Sequence, residues 1–388
     1  MAKFNDPFKF VRTIIFVDMN SYKVIKTCNV LLNIIYSLIH CLLIYYLCKN
    51  LEINLLIRYA PAILLFILVI FGAVFSIYMD EDILEVRSVF RENRWSLSVL
   101  KENSQTKLGR KCQFINIFIL LVLLLIVSTL AINAPCFGNQ RELLICIQVF
   151  EEYFGEWSFI PYYFFFLGFP LLYYNFFRLW MTFVYGLLEG QLQFFILEEY
   201  LCGIYETEDS KSWKYLQDSR YQQEIEKSLR LCISHHIGLK KFLKMVENQT
   251  LKVMPFYLVF GVLILICYFS FIINFADTVT TIGKIRMFMT AICMMGVAIL
   301  LSWIGQQLID VTSDIYFTLG GAPWYYWSQK NAKLLLMFLT NCTKNESVTL
   351  AGISLDFTLF VSIVHTTLSY ALVLYNLRES SLVSSSQK

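Results

Sequence analysis

The chain has 388 residues, 57% apolar and only 16% charged, with a formal net charge of +3. Ordinary soluble domains carry about 25% charged residues, so this composition excludes a conventional globular enzyme and points to a polytopic membrane protein. The small positive balance fits contact with anionic lipid and excludes nucleic acid as a partner.

In chain order, residues 1–26 contain Asp6 and Asp18 and lack an apolar run ahead of a small-residue site, so they do not read as a cleavable signal. Seven stretches without charge follow: Thr27 to Cys48, Tyr59 to Met79, Cys112 to Gln140, Trp157 to Phe177, Val253 to Ala276, Met287 to Ile309 and Phe357 to Leu377. Each is long enough to cross a roughly 30 Å hydrocarbon layer as a helix rising about 1.5 Å per residue. The expected architecture is all-α, a single membrane domain over 1–388 with spans at 27–48, 59–79, 114–135, 158–178, 253–275, 287–308 and 357–377.

The basic residues between the spans set the orientation. With the N-terminus cytosolic, 24 Lys and Arg fall on the inner side and 7 on the outer side. Basic residues resist translocation, so the N-terminus is expected in the cytosol and the C-terminus outside; the multi-pass protein is expected in the plasma membrane. That polarity opposes the G-protein-coupled receptor arrangement, although the helix count is the same. Three glycosylation sequons, at Asn248, Asn341 and Asn345, fall on the cytosolic side and test the assignment.

The inner segments 80–111, 179–252 and 310–344 carry mixed charge at helical spacing and are expected to extend the spans as cytosolic anchor helices. Gly186 and Gly190 form a GxxxG pair just beyond the fourth span, where the motif carries little weight. Leu334 to Thr343 is apolar but too short to cross. It reads as a cytosolic helix whose Leu335, Leu336 and Leu339 could pack within the subunit or against another, followed by a loop at 345–356. Cys136 and Cys146 share an outer loop, as a disulfide or as free thiols.

Two places could carry function. On the last span Thr358, Ser362, His365, Thr366, Ser369, Val373 and Asn376 recur every three or four positions and share one face. Such a stripe either lines water or bonds neighbouring helices. Val373 and Leu377, one turn apart around Asn376, would form an apolar rung able to gate by rewetting, which makes Ser369, Val373, Asn376 and Leu377 the candidate pore residues. The middle spans place Phe159, Tyr162, Tyr163 and Phe166 near Pro161 and Pro170, with Phe66, Val69, Ser128, Ala131, Tyr268 and Ile272 at matching depth. A mostly apolar cavity with a few hydroxyls suits a small volatile ligand, and the same aromatics would also serve as interface anchors.

No enzyme constellation is present, and no catalytic, metal or cofactor site is expected. His235 and His236 are adjacent, so their side chains diverge by about 100° on a helix. His40 and His365 are isolated in spans. There is no Walker loop, GxSxG or HExxH. The span interiors also lack carboxylates, which disfavours an ion-coupled transporter.

From Cys232 onward the chain resembles the insect odorant receptor family. The residues that carry this are Trp324 and Tyr325, the Leu334 to Leu339 run, Lys344 leading to Thr349 and Gly352, Phe357, Ser369 with Tyr370, and the upstream CISHHIGLKKFLKMVEN segment. Asn345 stands where the family has a turn proline. The related gustatory family ends in T-Y-x5-Q-F, whereas Ser369, Tyr370, Asn376 and Leu377 keep only the spacing and the tyrosine. The resemblance implies a ligand-tuning subunit of a non-selective cation channel, assembled as a tetramer with an odorant co-receptor and lined by the last helix. A gustatory channel subunit or, further off, a metabotropic seven-helix receptor are the competing readings.

Overall fold

Each uncharged stretch carries a long helix, and several of those helices outrun it. The computed structural model describes residues 8–15, 23–50, 52–82, 85, 88–89, 94–134, 144–205, 214–275, 279–350 and 352–386. Its principal helices are α1 (Lys9–Ile15), α2 (Lys23–Lys49), α3 (Ile53–Tyr78), α4 (Glu102–Asn133), α5 (Ile145–Phe154), α6 (Phe159–Tyr205), α7 (Ser219–Leu251), α8 (Met254–Phe275), α9 (Thr281–Gly320), α10 (Gln329–Asn341) and α11 (Phe357–Ser386). Among the described residues, six of these, α2, α3, α4, α8, α9 and α11, are long and apolar enough to cross a membrane. The fourth expected crossing is the first half of α6, where Tyr162, Tyr163, Tyr173, Tyr174 and Asn175 dilute the hydropathy of an otherwise phenylalanine-rich run. Pro161 sits in the first turn of α6, where a missing N–H costs little, and Pro170 lies inside the helix.

α6 has 47 residues and α9 has 40. At 1.5 Å per residue they measure about 70 and 60 Å, twice what the hydrocarbon layer requires. Their overhanging halves pack with α7 and α10 into a base, whose core includes Leu192, Ile196, Leu229, Leu308, Ile315 and Phe338. The Gly186 and Gly190 pair belongs to this base rather than to a span. A Cβ on Gly190 would stand 2.9 Å from Leu243, and one on Gly186 would stand 3.2 Å from Val246, so the two glycines let α7 lie close on α6. The short leucine-rich segment is α10, which buries Leu335 and Phe338 and leaves Leu336 and Met337 exposed.

Ion pairs mark the junction between span and base. Arg178 of α6, almost fully buried, lies 2.6 Å from Asp80, and Lys252 lies 2.9 Å from Asp82. The two adjacent histidines point apart. His235 stacks on Trp95 at 4.0 Å between centroids, while His236 faces Phe338 and Cys342. Burial pushes both imidazoles down to about 4; His236 adds to the shift at His235, and Lys240 adds to it at His236.

The segment ahead of α11, expected as a loop, holds a small antiparallel hairpin, β1 (Thr349–Leu350) and β2 (Ile353–Ser354). Gly352 supplies the left-handed conformation it needs, at φ +86°. Thr349 anchors the hairpin to the base by donating from its N–H and its hydroxyl to Glu247, at 3.1 and 2.9 Å. The Asp356 carboxylate then caps α11, accepting from the N–H groups of Thr358 and Leu359. Cys146 is buried on α5, and Cys136 lies outside the described residues.

Candidate ligand cavity and pore helix

A cavity of about 510 Å³ opens among α3, α4, α6, α8, α9 and the foot of α11. That is within the range of roughly 300–1,000 Å³ typical of small-molecule sites. One wall is an aromatic ladder on α6, built because Phe166, Phe169, Tyr173 and Phe176 recur every three or four residues and so share a face. Phe169 stacks on Tyr173 at 5.0 Å, Phe66 of α3 meets Phe169 edge-on at 5.2 Å, and Tyr257 of α8 stacks on Phe176 at 5.3 Å.

The polar groups of the wall are largely engaged with their own helices. Thr129 donates to the Leu125 carbonyl and Thr290 to the Arg286 carbonyl, both at 2.8 Å. Asn133 donates to Thr129 at 2.8 Å. Such back-bonding occupies these three groups, so along that part of the wall the cavity discriminates by shape, and Arg58 at the end away from the base is the charged residue of its lining. At the end away from the base, the buried Arg286 donates from Nε to the Ile132 carbonyl at 3.0 Å and ties α9 to α4.

α11 presents two different faces. Leu355, just ahead of it, and its own Leu359 and Ile363 line the cavity, and Leu359, Thr367 and Ala371 are buried against the bundle. The opposite face carries Thr358, Ser362, His365, Ser369, Val373 and Asn376, all exposed on the single chain.

No protein-family model and no curated protein matches this sequence. Among solved structures the chain is similar to the insect olfactory receptor OR5 from Machilis hrabei, with a TM-score of 0.67 and 11% identity over 90% of this chain and 88% of that one. It is also similar to that receptor in complex with eugenol, with a TM-score of 0.68 and 11% identity over 95% of this chain and 97% of that one. This is the insect olfactory receptor fold.

Within the olfactory receptor fold, the ten residues expected to surround a ligand divide. Phe66, Ala131, Phe166 and Tyr268 line the cavity. Val69 is one turn from Phe66 but fully buried in the packing of α2, α3, α5 and α6. Ser128 points away, because on α4 it shares with Ile132 the face turned from the cavity, and its hydroxyl bonds the Leu124 carbonyl. Phe159 and Tyr163 are exposed, Tyr162 packs on Tyr163 and Phe166, and Ile272 packs beside the Tyr268 cluster. The aromatic run near Pro161 therefore lies at the end of α6, and the cavity begins one to two turns further along. Continuing its period past Pro170 would have reached Phe169, Tyr173 and Phe176. Leu355, Leu359 and Ile363 carried no such signal, since a leucine in an apolar helix looks the same in a core and in a binding wall. Of the four pore candidates, Ser369, Val373 and Asn376 are exposed, and the Leu377 side chain lies outside the described residues.

Proposed function

We propose that this chain is an odorant receptor, the ligand-tuning subunit of a ligand-gated, non-selective cation channel in the plasma membrane. It assembles with an odorant co-receptor, as a tetramer, with the base cytosolic and α11 lining a central pore. The observation that supports this most is the division of α11. One side of that helix touches a cavity sized for a small volatile molecule, and the other carries an uncovered polar stripe. Ser362 bonds back to the Thr358 carbonyl, but the exposed His365 and Asn376 are costly against lipid and call for water or neighbouring subunits to cover them. Contacts on the cavity side then bias the helix that faces the ions. A ligand shifts the gate only by its difference in affinity between closed and open states. One of the solved structures this chain is similar to was captured with eugenol, a small volatile, which supports the same ligand class here.

The test is whole-cell current in a non-insect cell expressing this chain with and without an odorant co-receptor, with G-protein signalling blocked, against esters, alcohols, aldehydes and terpenoids. A fast cation current that needs both subunits supports the reading. Current from this chain alone moves it to the gustatory class, and a response abolished by the G-protein block moves it to the metabotropic one.

A further inference from the structure

The cavity is longer than a compact volatile needs. Its lining runs from Phe166 to Trp180 along α6, from Met254 to Tyr268 along α8, and from Met287 to Ser302 along α9. Three helices thus agree on a length of about 21 Å at the helical rise. A volume of 510 Å³ drawn out over that distance is a slot rather than a chamber.

The two ends of the slot differ chemically. The end away from the base has Arg58 and Asn133, a cation and an amide. The base end has Trp180, Leu355 and Leu359, all buried. α11 contributes only to this base half, because it starts there and its lining stops at Ile363.

We propose that the slot takes a linear amphiphile, an alcohol, aldehyde or ester of roughly 12 to 16 carbons matched to the length of about 21 Å. Its oxygen lies at the Arg58 end of the slot, and its chain end lies on Trp180 against the foot of α11. This rests on the ligand-receptor reading above and names its ligand class.

The foot of α11 is a place where such contact matters, because it is pinned to the base. The Glu346 N–H donates to Thr312 at 3.2 Å, and the Glu346 carboxylate pairs with Lys240 at 2.7 Å. The Leu355 backbone lies directly on Gly305 of α9. A short ligand confined to the Arg58 half makes no contact with α11, whereas a long chain reaches Leu359 beside the pinned point. Chain length is then a determinant of efficacy as well as of affinity.

Tryptophan quenching tests this without any channel readout. The probes are alcohols of 6 to 14 carbons with bromine on the terminal carbon, added to the purified full chain in lipid nanodiscs. The difference between wild type and Trp180→Phe isolates the Trp180 emission. Quenching of that component is expected only from about 12 carbons upward, with affinity rising roughly fourfold per added methylene until the slot is filled. Ala298→Phe, which fills the slot about 6 Å short of its base end on α9, should abolish the Trp180 quenching and end the affinity gain at a shorter chain. Quenching that ignores chain length, or that survives Ala298→Phe unchanged, overturns the proposal. Length-dependent quenching without any ligand-gated current would keep the slot assignment and remove the channel reading. Currents driven by compact ligands, with Trp180 unquenched at every length, would do the reverse.

Discussion

Gly305→Ala is the most informative single substitution on α9. A Cβ at that position would overlap the carbonyl of Leu355, which is backbone and cannot rotate out of the way. The obstruction stands where the hairpin segment gives way to α11, whose first turn is capped by Asp356. Overpacking of this kind costs about 1–3 kcal/mol, partly offset by the roughly 1 kcal/mol that alanine gains over glycine in a helix. If closed and open states hold Leu355 at different distances from α9, the strain falls unequally on them. A difference of 1–3 kcal/mol changes their ratio about 5- to 150-fold. The assays are the half-maximal ligand concentration and basal current in cells, and the thermal midpoint of the purified protein. Gly109→Ala on α4 is the control, since a Cβ there meets nothing within 4 Å. If Gly305→Ala matches both wild type and this control in all three readouts, the close approach of Leu355 to α9 is not a feature of the working protein.

Three further expectations concern the cavity, the base and their junction. Phe66→Ala or Tyr268→Ala should shift ligand sensitivity by tenfold or more at constant maximal current, since removing a buried aromatic costs on the order of 3 kcal/mol, and the half-buried Phe166→Ala should shift it in the same direction. Phe159→Ala and Tyr163→Ala, at exposed positions, should leave the dose–response curve in place. In the base, His235 and His236 titrate near 4 when folded and near 6.5 when unfolded. Because the unfolded chain binds the extra protons, each contributes stability that is intact above about pH 6.5 and is lost as pH falls toward 4, up to roughly 3 kcal/mol per imidazole. The thermal midpoint should be flat from pH 7 to 8 and fall below 6.5, with a shallower fall in His235→Asn; equal slopes refute the assignment. Asp80→Asn removes the partner of the buried Arg178 and should cost about 3–5 kcal/mol, measured as a lowered thermal midpoint, whereas replacing both residues with apolar ones should recover much of it.

How much of this was legible in the sequence depended on whether a residue's chemistry or only its neighbours decided its role. The spans were legible because the absence of charge over about 20 positions has one economical explanation in a helix. The polar stripe of α11 was legible because serine, threonine and asparagine at helical spacing stand out against leucine, and the structure leaves that stripe uncovered. The continuation of α6 and α9 into the base appeared only as charged helical pattern, since nothing in a sequence marks the plane where a continuous helix leaves the lipid. The cavity was half legible. Phe66, Ala131, Phe166 and Tyr268 were within reach, whereas Leu359 and Ile363 line it only because the chain brings the foot of α11 between α8 and α9. Arg286 counted as a loop charge by position, yet it is among the most buried side chains because α9 starts before it and α4 ends beside it.

The central claim is that α11 faces the ligand on one side and the ion path on the other. The direct measurement is thiol modification of Val373→Cys in cells that express this chain with an odorant co-receptor, using a charged, membrane-impermeant reagent applied outside with and without ligand. The account predicts a loss of cation current that is absent in wild type and proceeds faster while ligand holds the channel open. Current that stays unchanged, with the introduced thiol unmodified under both conditions, would place Val373 against lipid or protein and contradict the account.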